Sequence, residues 1–418
     1  MSYTAEVFDQ IQLLFGINGF NDHQLHCVLR FDRLPDSEAL KQAVLLSIEA
    51  IPILGARYMQ GARPLWTSLD PQDFGRAFVL AQTEIEFEDF LVSPVDESLG
   101  PQVRFCLLNS SPFAIAFKMN HMVCDAADFK QYIYFLCSIY SRLLTEPSYR
   151  PSAITGDRSM RGVLKRFGLG VKLKSLFQQS KENNLTGSVR FPLSENEAER
   201  PFILTRKLVR ERTAALKAYG KANRATLNDL LLTAYYRALF QRLGLSPGTA
   251  LQLPIMIDMR RYLDKSGRCT ALTNLSSTVL TQLEYRPDEN FEATLRRVKA
   301  IMDQKKGSNL GLNGFIKLDM IYRILGDRIA NRLLRSVLKN PLICMTNVGI
   351  LDADQISFGD LHPQDAFLCG SIKYKPYFQL ALSSYDGELI LSVNLSGSAS
   401  DQVRIQSFFD ELEAELPR

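Results

Sequence analysis

Only four of the 418 residues are histidines: His23, His26, His121 and His362. Imidazole is the side chain whose ordinary pKa suits proton transfer near neutral pH, so these four bound the choice of a histidine-dependent catalyst. His121 stands out in Asn120-His121-Met122-Val123-Cys124-Asp125-Ala126, where two periodicities meet. Before it, Phe113–Asn120 alternates, with Phe113, Ile115, Phe117 and Met119 on one face and Ala114, Ala116, Lys118 and Asn120 on the other. After it, Phe129, Ile133, Leu136, Tyr140 and Leu143 recur at three- and four-residue steps, which predicts a helix laid on a core. An imidazole at such a strand-to-helix junction is held from both sides and can project into a cavity as a general base. The same residues also have a purely structural reading. Asp125 caps the helix, Asp128 complements its dipole, and His121 closes the strand. H-x-x-x-D alone does not choose between them.

The elements that must position these residues extend along the whole chain. A length of 418 residues predicts two or three domains, large enough to bury cores without disulfides or metals. A 46% hydrophobic and 22% charged composition excludes a disordered or low-complexity protein. The net charge of +4 is too small for a nucleic-acid binder. Seven scattered cysteines without a C-x-x-C pair predict free thiols in a reducing, cytoplasmic setting. His23 and His26, three apart with no second ligand pair, do not make a metal site. His362, before Pro363, reads as a surface loop residue. The N-terminus lacks the basic and apolar regions of a secretory signal, and no run approaches the ~20 apolar residues of a membrane span.

His26–Phe31 reads as a strand, and Pro35-Asp36-Ser37 as the turn and cap of a helix over Glu38–Glu49. The second half repeats the mixture. Strands are expected at Phe202–Leu208, Leu251–Met256, Thr278–Leu283, Leu342–Thr346, Phe378–Leu382 and Leu389–Leu395, and a closing helix at Gln402–Leu416. Two α/β lobes of similar size follow, joined by a crossover over 151–201. Arg158, Arg161, Lys165, Arg166, Lys172, Lys174 and Lys181 occur there with no acidic residue among them. Val163, Leu164, Phe167 and Val171 sit at helical spacing between these cations. Such a helix suits an anionic membrane, an acidic carrier protein or CoA phosphates; the plain alternative is a solvated crossover helix. Asp327–Lys339 is a second basic stretch that would extend the same surface.

Gly100–Tyr140 resembles the core of the condensation-domain and CoA-dependent acyltransferase superfamily, in which a strand delivers H-H-x-x-x-D-G into a channel between two lobes. Leu34–Leu54 resembles its early helix and P-I-L segment, and Ala225–Leu239 the first helix of its second lobe. Pro254–Arg260 is similar to its V-D-L-R strand end, and Thr346-Asn347-Val348-Gly349 to its S-N-L-G segment. The resemblance implies an α/β sandwich of two chloramphenicol-acetyltransferase-like lobes, divided as 1–180 and 181–418, with a channel between them. It also implies acyl transfer, with His121 as base and Asp125 beside it in the catalytic motif. Asp125 in this family usually pairs with an arginine, here Arg260. Asn347, and Asn120 in place of the first histidine, would position substrate; the other reading of Asn347 is a turn residue before Gly349. Cys124 would face away from the channel as a packed thiol. Ala126 replaces the motif glycine, so it either narrows the channel or marks an ordinary backbone. The plant-branch D-F-G-W-G signature is reduced to Ile356–Gly359.

The resulting expectation is a monomeric acyltransferase with no bound cofactor or metal. It would use acyl-CoA or a phosphopantetheinyl carrier-protein thioester as co-substrate, with a hydroxyl or amine on a small molecule or lipid as acceptor. Two rivals accompany it: a catalytically silent binding or docking protein, and a membrane-surface lipid acyltransferase that adsorbs through 158–181.

Overall fold

The computed structural model describes residues 2–177, 189–263, 271–306, 309 and 311–418. The expected boundary at 180/181, Lys181, Cys269 and the polar stretch 178–188 lie outside the described residues. Helices and mixed sheets alternate, giving the expected α/β class. One sheet has five strands in the order Asp365–Cys369, Gln24–Phe31, Phe113–Asn120, Val103–Leu108 and Phe78–Ala81. A small three-stranded sheet joins Ser2–Thr4, Leu65–Ser68 and Ala56–Met59, and the third sheet is seven-stranded. Ser276–Glu284, Ala250–Asp258, Ile343–Leu351, Phe378–Tyr385, Glu388–Gly397 and Lys373–Tyr374 follow in order, and Arg200–Leu208 also pairs with Glu388–Gly397. Asp365–Cys369 comes from the second half of the chain yet pairs antiparallel with Gln24–Phe31 of the first sheet.

Local chemistry explains where the helices start. Asp36 accepts from the Ala39 amide at 2.9 Å and begins Ser37–Ala50, one residue before the expected start. Thr226 with Asp229 and Ser398 with Asp401 form capping boxes at Leu227–Arg242 and Ala399–Glu415. Phe113–Asn120 is a strand with the expected bounds, and both of its faces are covered. Ile115, Phe117 and Met119 join the main core with Phe129, Ile133 and Leu136 of the helix Ala126–Thr145. Ala114 and Ala116 pack with Phe87 and Leu91 on the opposite side. Lys118 is buried there too. Its ammonium donates to the Phe90 carbonyl and, at 2.7 Å each, to the Ser93 carbonyl and hydroxyl. Burial pushes this lysine down to about 7.

The crossover differs from its sequence pattern. Two short helices, Arg161–Leu164 and Leu169–Phe177, replace one amphipathic helix. Val163 and Leu164 are buried in a cluster with Met259, Leu275 and Phe315. Arg158 is not a free surface cation. It forms a two-pronged bond to Asp9 at 2.9 and 3.0 Å, while Asp9 also accepts from the Trp66 indole at 2.8 Å. Arg158, Val163 and Leu164 are therefore withdrawn from any membrane contact by tertiary packing, whereas Arg161 between them stays exposed.

The two larger sheets are locked together at one buried cluster. Arg260 follows the strand Ala250–Asp258 of the seven-stranded sheet; Asp125 and Asp128 stand at the start of Ala126–Thr145, behind the five-stranded one. One guanidinium nitrogen lies 2.8 Å from Asp125 Oδ2 and the other 2.7 Å from Asp128 Oδ2. Arg260 also donates to the Thr273 carbonyl at 3.1 Å and hydroxyl at 2.8 Å. The second Asp125 oxygen caps the helix at the Ala127 and Asp128 amides, while Oδ2 accepts from Leu275 N at 2.8 Å. Burial opposes ionisation of Asp125. The Arg260 charge and these amides more than offset it and hold the carboxyl below its usual range. Its contribution to stability is thus present above the ordinary carboxylate range and is lost as pH falls through the depressed value.

Removing one partner of such a cluster leaves buried charge uncompensated, typically at ~3–5 kcal/mol. Arg260→Ala is expected to lower the urea midpoint by an amount corresponding to that loss. Arg260→Lys recovers only part, because an ammonium cannot fork between two carboxylates. An unchanged midpoint in Arg260→Ala would show that the cluster does not hold the fold.

Candidate active site

A cavity of about 430 Å³ lies beside this cluster, lined from both halves of the chain. The N-terminal helix Val7–Ile17 supplies Phe8, Ile11 and Phe15; Phe315 and Leu318 come from the helix Leu312–Val337. The polar lining includes His121, Asn274, Ser276, Thr278, Thr346 and Lys373. An apolar enclosure with a few converging polar groups is the usual form of a small-molecule site.

His121 stands at the end of Phe113–Asn120 with a fixed ring. Its Nδ1 lies 2.9 Å from the Cys124 carbonyl oxygen. A carbonyl can only accept, so Nδ1 carries the proton in the neutral imidazole and Nε2 keeps its lone pair. Nε2 has no hydrogen-bond partner among the described residues. Enclosure by protein lowers the basicity of His121, and Lys373 adds to that effect; Asp125 and the Cys124 carbonyl oppose it. The net effect favours the neutral ring, the form that accepts a proton.

The loop carrying the ring is tied down on every side. His121 N donates to the His23 carbonyl at 2.8 Å. Asn274 Nδ2 donates to the His121 and Met122 carbonyls at 2.7 and 3.0 Å. Arg158 reaches the Val123 carbonyl at 3.1 Å while held by Asp9. Asn274 and Arg158 are supports that sequence reasoning missed. Asn274 lies in the polar run Thr273–Ser277, which has no motif signature, and Arg158 was hidden within a basic stretch.

Asp125 borders the cavity but makes no hydrogen bond to His121, since its oxygens are taken by amides, Ser276 and Arg260. These contacts make it a brace for the segment that carries His121. Asn120 is corrected as well. It is fully buried, donates to Gln102 Oε1 at 2.7 Å and accepts from Met122 N at 2.9 Å, so it cannot touch a substrate. Asn347 is exposed outside the cavity, where its side chain accepts from Gly349 N at 2.9 Å and donates to Asn228. Strand alternation is the reason. Cys344, Thr346 and Val348 face the cavity, so the residue between the last two points away, and Gly349 takes φ +83 at the following bulge. The turn reading of Asn347 is the one the geometry supports.

Ala126 is the first residue of a regular helix and lines the cavity, so no special backbone angle is needed there. Cys124 is fully buried and burial raises its thiol well above the usual range, against a nucleophilic role. His26 is fully buried against the Gly370 carbonyl, His23 pairs with Glu97 at 3.3 Å, and His362 is exposed. Among the described residues no cluster of three or more His, Cys, Asp or Glu could hold a metal. Ile356–Gly359 serves packing, with Phe358 edge-on to Phe31 and Tyr140 at 5.5 and 5.1 Å.

Residues 272–417 match the family model of the WS/DGAT C-terminal domain. No curated protein matches the sequence. Solved structures are similar over nearly the whole chain. Polyketide synthase associated protein 5 from Mycobacterium tuberculosis is 16% identical with TM-score 0.67, over 99% of this chain and 98% of its own. TRI3 trichothecene 15-O-acetyltransferase from Fusarium sporotrichioides is 14% identical with TM-score 0.75, over 100% and 95%. The first condensation domain of the calcium-dependent antibiotic synthetase is 14% identical with TM-score 0.70, over 100% and 97%. With a histidine fixed at a strand end beside a cavity, the chain adopts the fold of the condensation-domain and CoA-dependent acyltransferase superfamily.

Proposed function

We propose that this protein transfers an acyl group from a thioester, acyl-CoA or acyl carrier protein, to a hydroxyl or amine, with His121 as general base. The observation that carries the reading is the His121 ring, with Nδ1 committed to the Cys124 carbonyl and Nε2 free at the cavity. Nε2 takes the acceptor proton as the acceptor oxygen or nitrogen attacks the thioester carbon. The C–S bond then breaks and the imidazolium returns the proton to the departing thiolate, so no cofactor is consumed. The Thr346 hydroxyl lines the same space and is the candidate donor toward the oxyanion, in place of Asn347; the Ser276 hydroxyl there already donates to Asp125. The similarity to an O-acetyltransferase supports a hydroxyl acceptor, and that to a condensation domain supports a carrier-bound thioester.

His121→Ala should reduce transfer from a panel of acyl-CoA thioesters by about 10²–10⁴-fold, the usual worth of a general base. Product detection by mass spectrometry measures it. Unchanged turnover would sink the assignment, and thioester binding without turnover in the wild type would favour the silent binding protein. Because enclosure lowers the His121 pKa below its ordinary 6.5, kcat/KM should be flat at neutral pH. It should fall only on the acid side of that value. A pH profile breaking above it would contradict the described environment.

A second reading, adsorption to an anionic membrane, is favoured by the second basic stretch, Asp327–Lys339, rather than by 158–181. The helix Leu312–Val337, broken at Gly326, exposes Ile324, Ile329, Leu333 and Val337 beside exposed Arg328, Arg332 and Arg335. No helix among the described residues is long and apolar enough to cross a membrane. Basic side chains near an anionic surface are each worth about 1 kcal/mol, so three supply roughly a hundredfold. The protein should co-sediment with phosphatidylglycerol-containing vesicles, release at high salt, and lose binding in Ile329→Glu/Leu333→Glu. Equal recovery in the supernatant with and without vesicles would dismiss this reading.

A further inference from the structure

Lys373 is the exception among the buried and half-buried lysines that line the core. Lys118, Lys130 and Lys375 each donate to protein oxygens: Lys118 to Ser93, Lys130 to the Val348 carbonyl at 2.7 Å, and Lys375 to Asp401 at 2.7 Å. Lys373 is only 7% exposed, yet its ammonium has no hydrogen bond or ion pair to any described residue. It lines the same cavity as His121, where Asn21, Ser371 and Gln379 are its polar companions. Burial lowers the basicity of Lys373; Cys344 and the Asp22 carboxylate oppose that, but Asp22 forms no ion pair with it. One Asp22 oxygen accepts from the Gln24 and Ile372 amides at 3.2 and 2.9 Å, and the other lies 3.9 Å from His26 Nε2. The lysine backbone is held in place, bridged to Asn21 and paired in the strand Lys373–Tyr374 with Leu395.

A buried ammonium without a partner costs free energy unless something pairs with it, and Lys373 lines the cavity. We infer that Lys373 is a binding residue for a carboxylate carried by one of the two substrates, so that the cavity takes an acidic substrate whose charged end is held apart from its reacting end. The apolar walls provided by Phe8, Ile11 and Phe315 suit the carbon chain between those ends. This inference rests on the acyl-transfer reading for the identity of the ligand as a substrate, but the anion site itself does not.

Hexanoate and its neutral isostere hexanamide are the probes, titrated calorimetrically against the full chain. The wild type should bind hexanoate at least about tenfold more tightly, as expected for a hydrogen bond to a charged group. Lys373→Met should abolish the preference and Lys373→Arg should keep most of it. Lys373→Met is expected to be at least as stable to heat as the wild type, because it removes an uncompensated buried charge. Histidine NMR supplies a second readout. Pairing the Lys373 charge relieves His121, so hexanoate in the wild type and Lys373→Met alone should both raise the His121 pKa.

Kinetics then tell donor from acceptor. Succinyl-CoA is compared with butyryl-CoA, and a hydroxy acid with its methyl ester. The KM advantage of the acidic member should collapse in Lys373→Met for whichever substrate carries the carboxylate. Equal affinity of the wild type for hexanoate and hexanamide, binding of neither, or a preference that survives Lys373→Met would overturn the inference. So would a kcat loss of the same size for acidic and neutral substrates with the KM ratio intact, which would place the lysine on the developing oxyanion. A hexanoate preference in a protein that transfers no acyl group would leave the anion site standing and remove the acyl-transfer reading alone.

Discussion

The geometry around His121 depends on the forked contact of Arg260 with Asp125 and Asp128. These groups come from segments 135 residues apart, and each would be costly to bury by itself. Together they join the end of a strand in one sheet to the first turn of the helix behind the other. The same Asp125 carboxylate caps that helix, so its negative charge is stabilised by backbone amides and helix dipole as well as by the guanidinium. Thr273, bound to both Asp128 and Arg260, leads directly into Asn274, whose amide holds the His121 and Met122 carbonyls. The ion cluster therefore sets where the loop carrying His121 sits without touching the ring.

That separation of tasks matters for the chemistry. A histidine hydrogen-bonded to a carboxylate would be pulled toward its charged form; one bonded to a backbone carbonyl is oriented with much less pull. His121 is of the second kind. Its surroundings, enclosed and near a lysine, keep it neutral and ready to accept a proton. The buried lysines illustrate the same balance. Lys118 is surrounded by carbonyl and hydroxyl oxygens and serves structure, whereas Lys373 meets the cavity.

Much of the fold was legible because it rests on local rules. Asp36, Thr226 and Ser398 are helix caps by side-chain chemistry alone, and the period of two in Phe113–Asn120 marks a strand wherever it lies. The helix at Leu312–Val337 was harder to see. It changes direction at Gly326, which interrupts the pattern, and it exposes apolar side chains that a solvated helix would not. The basic crossover misled for a related reason. A cation count cannot show that Asp9, some 150 residues earlier, takes up Arg158, or that Val163 faces inward.

The sequence by itself determined the α/β class, the strand-to-helix setting of His121 and the arginine expected opposite Asp125, since each follows from periodicity, capping or a motif with a resemblance behind it. Tertiary structure alone decided which neighbours face the cavity. Asn120 turned inward to Gln102, and Asn347 fell on the wrong side of a strand whose alternate residues line the site. Asn274 and Lys373, which carry no motif, entered it through folding. The physical reason is that a cavity is formed by side chains whose directions depend on strand register and packing between distant segments, and neither is encoded in short-range spacing.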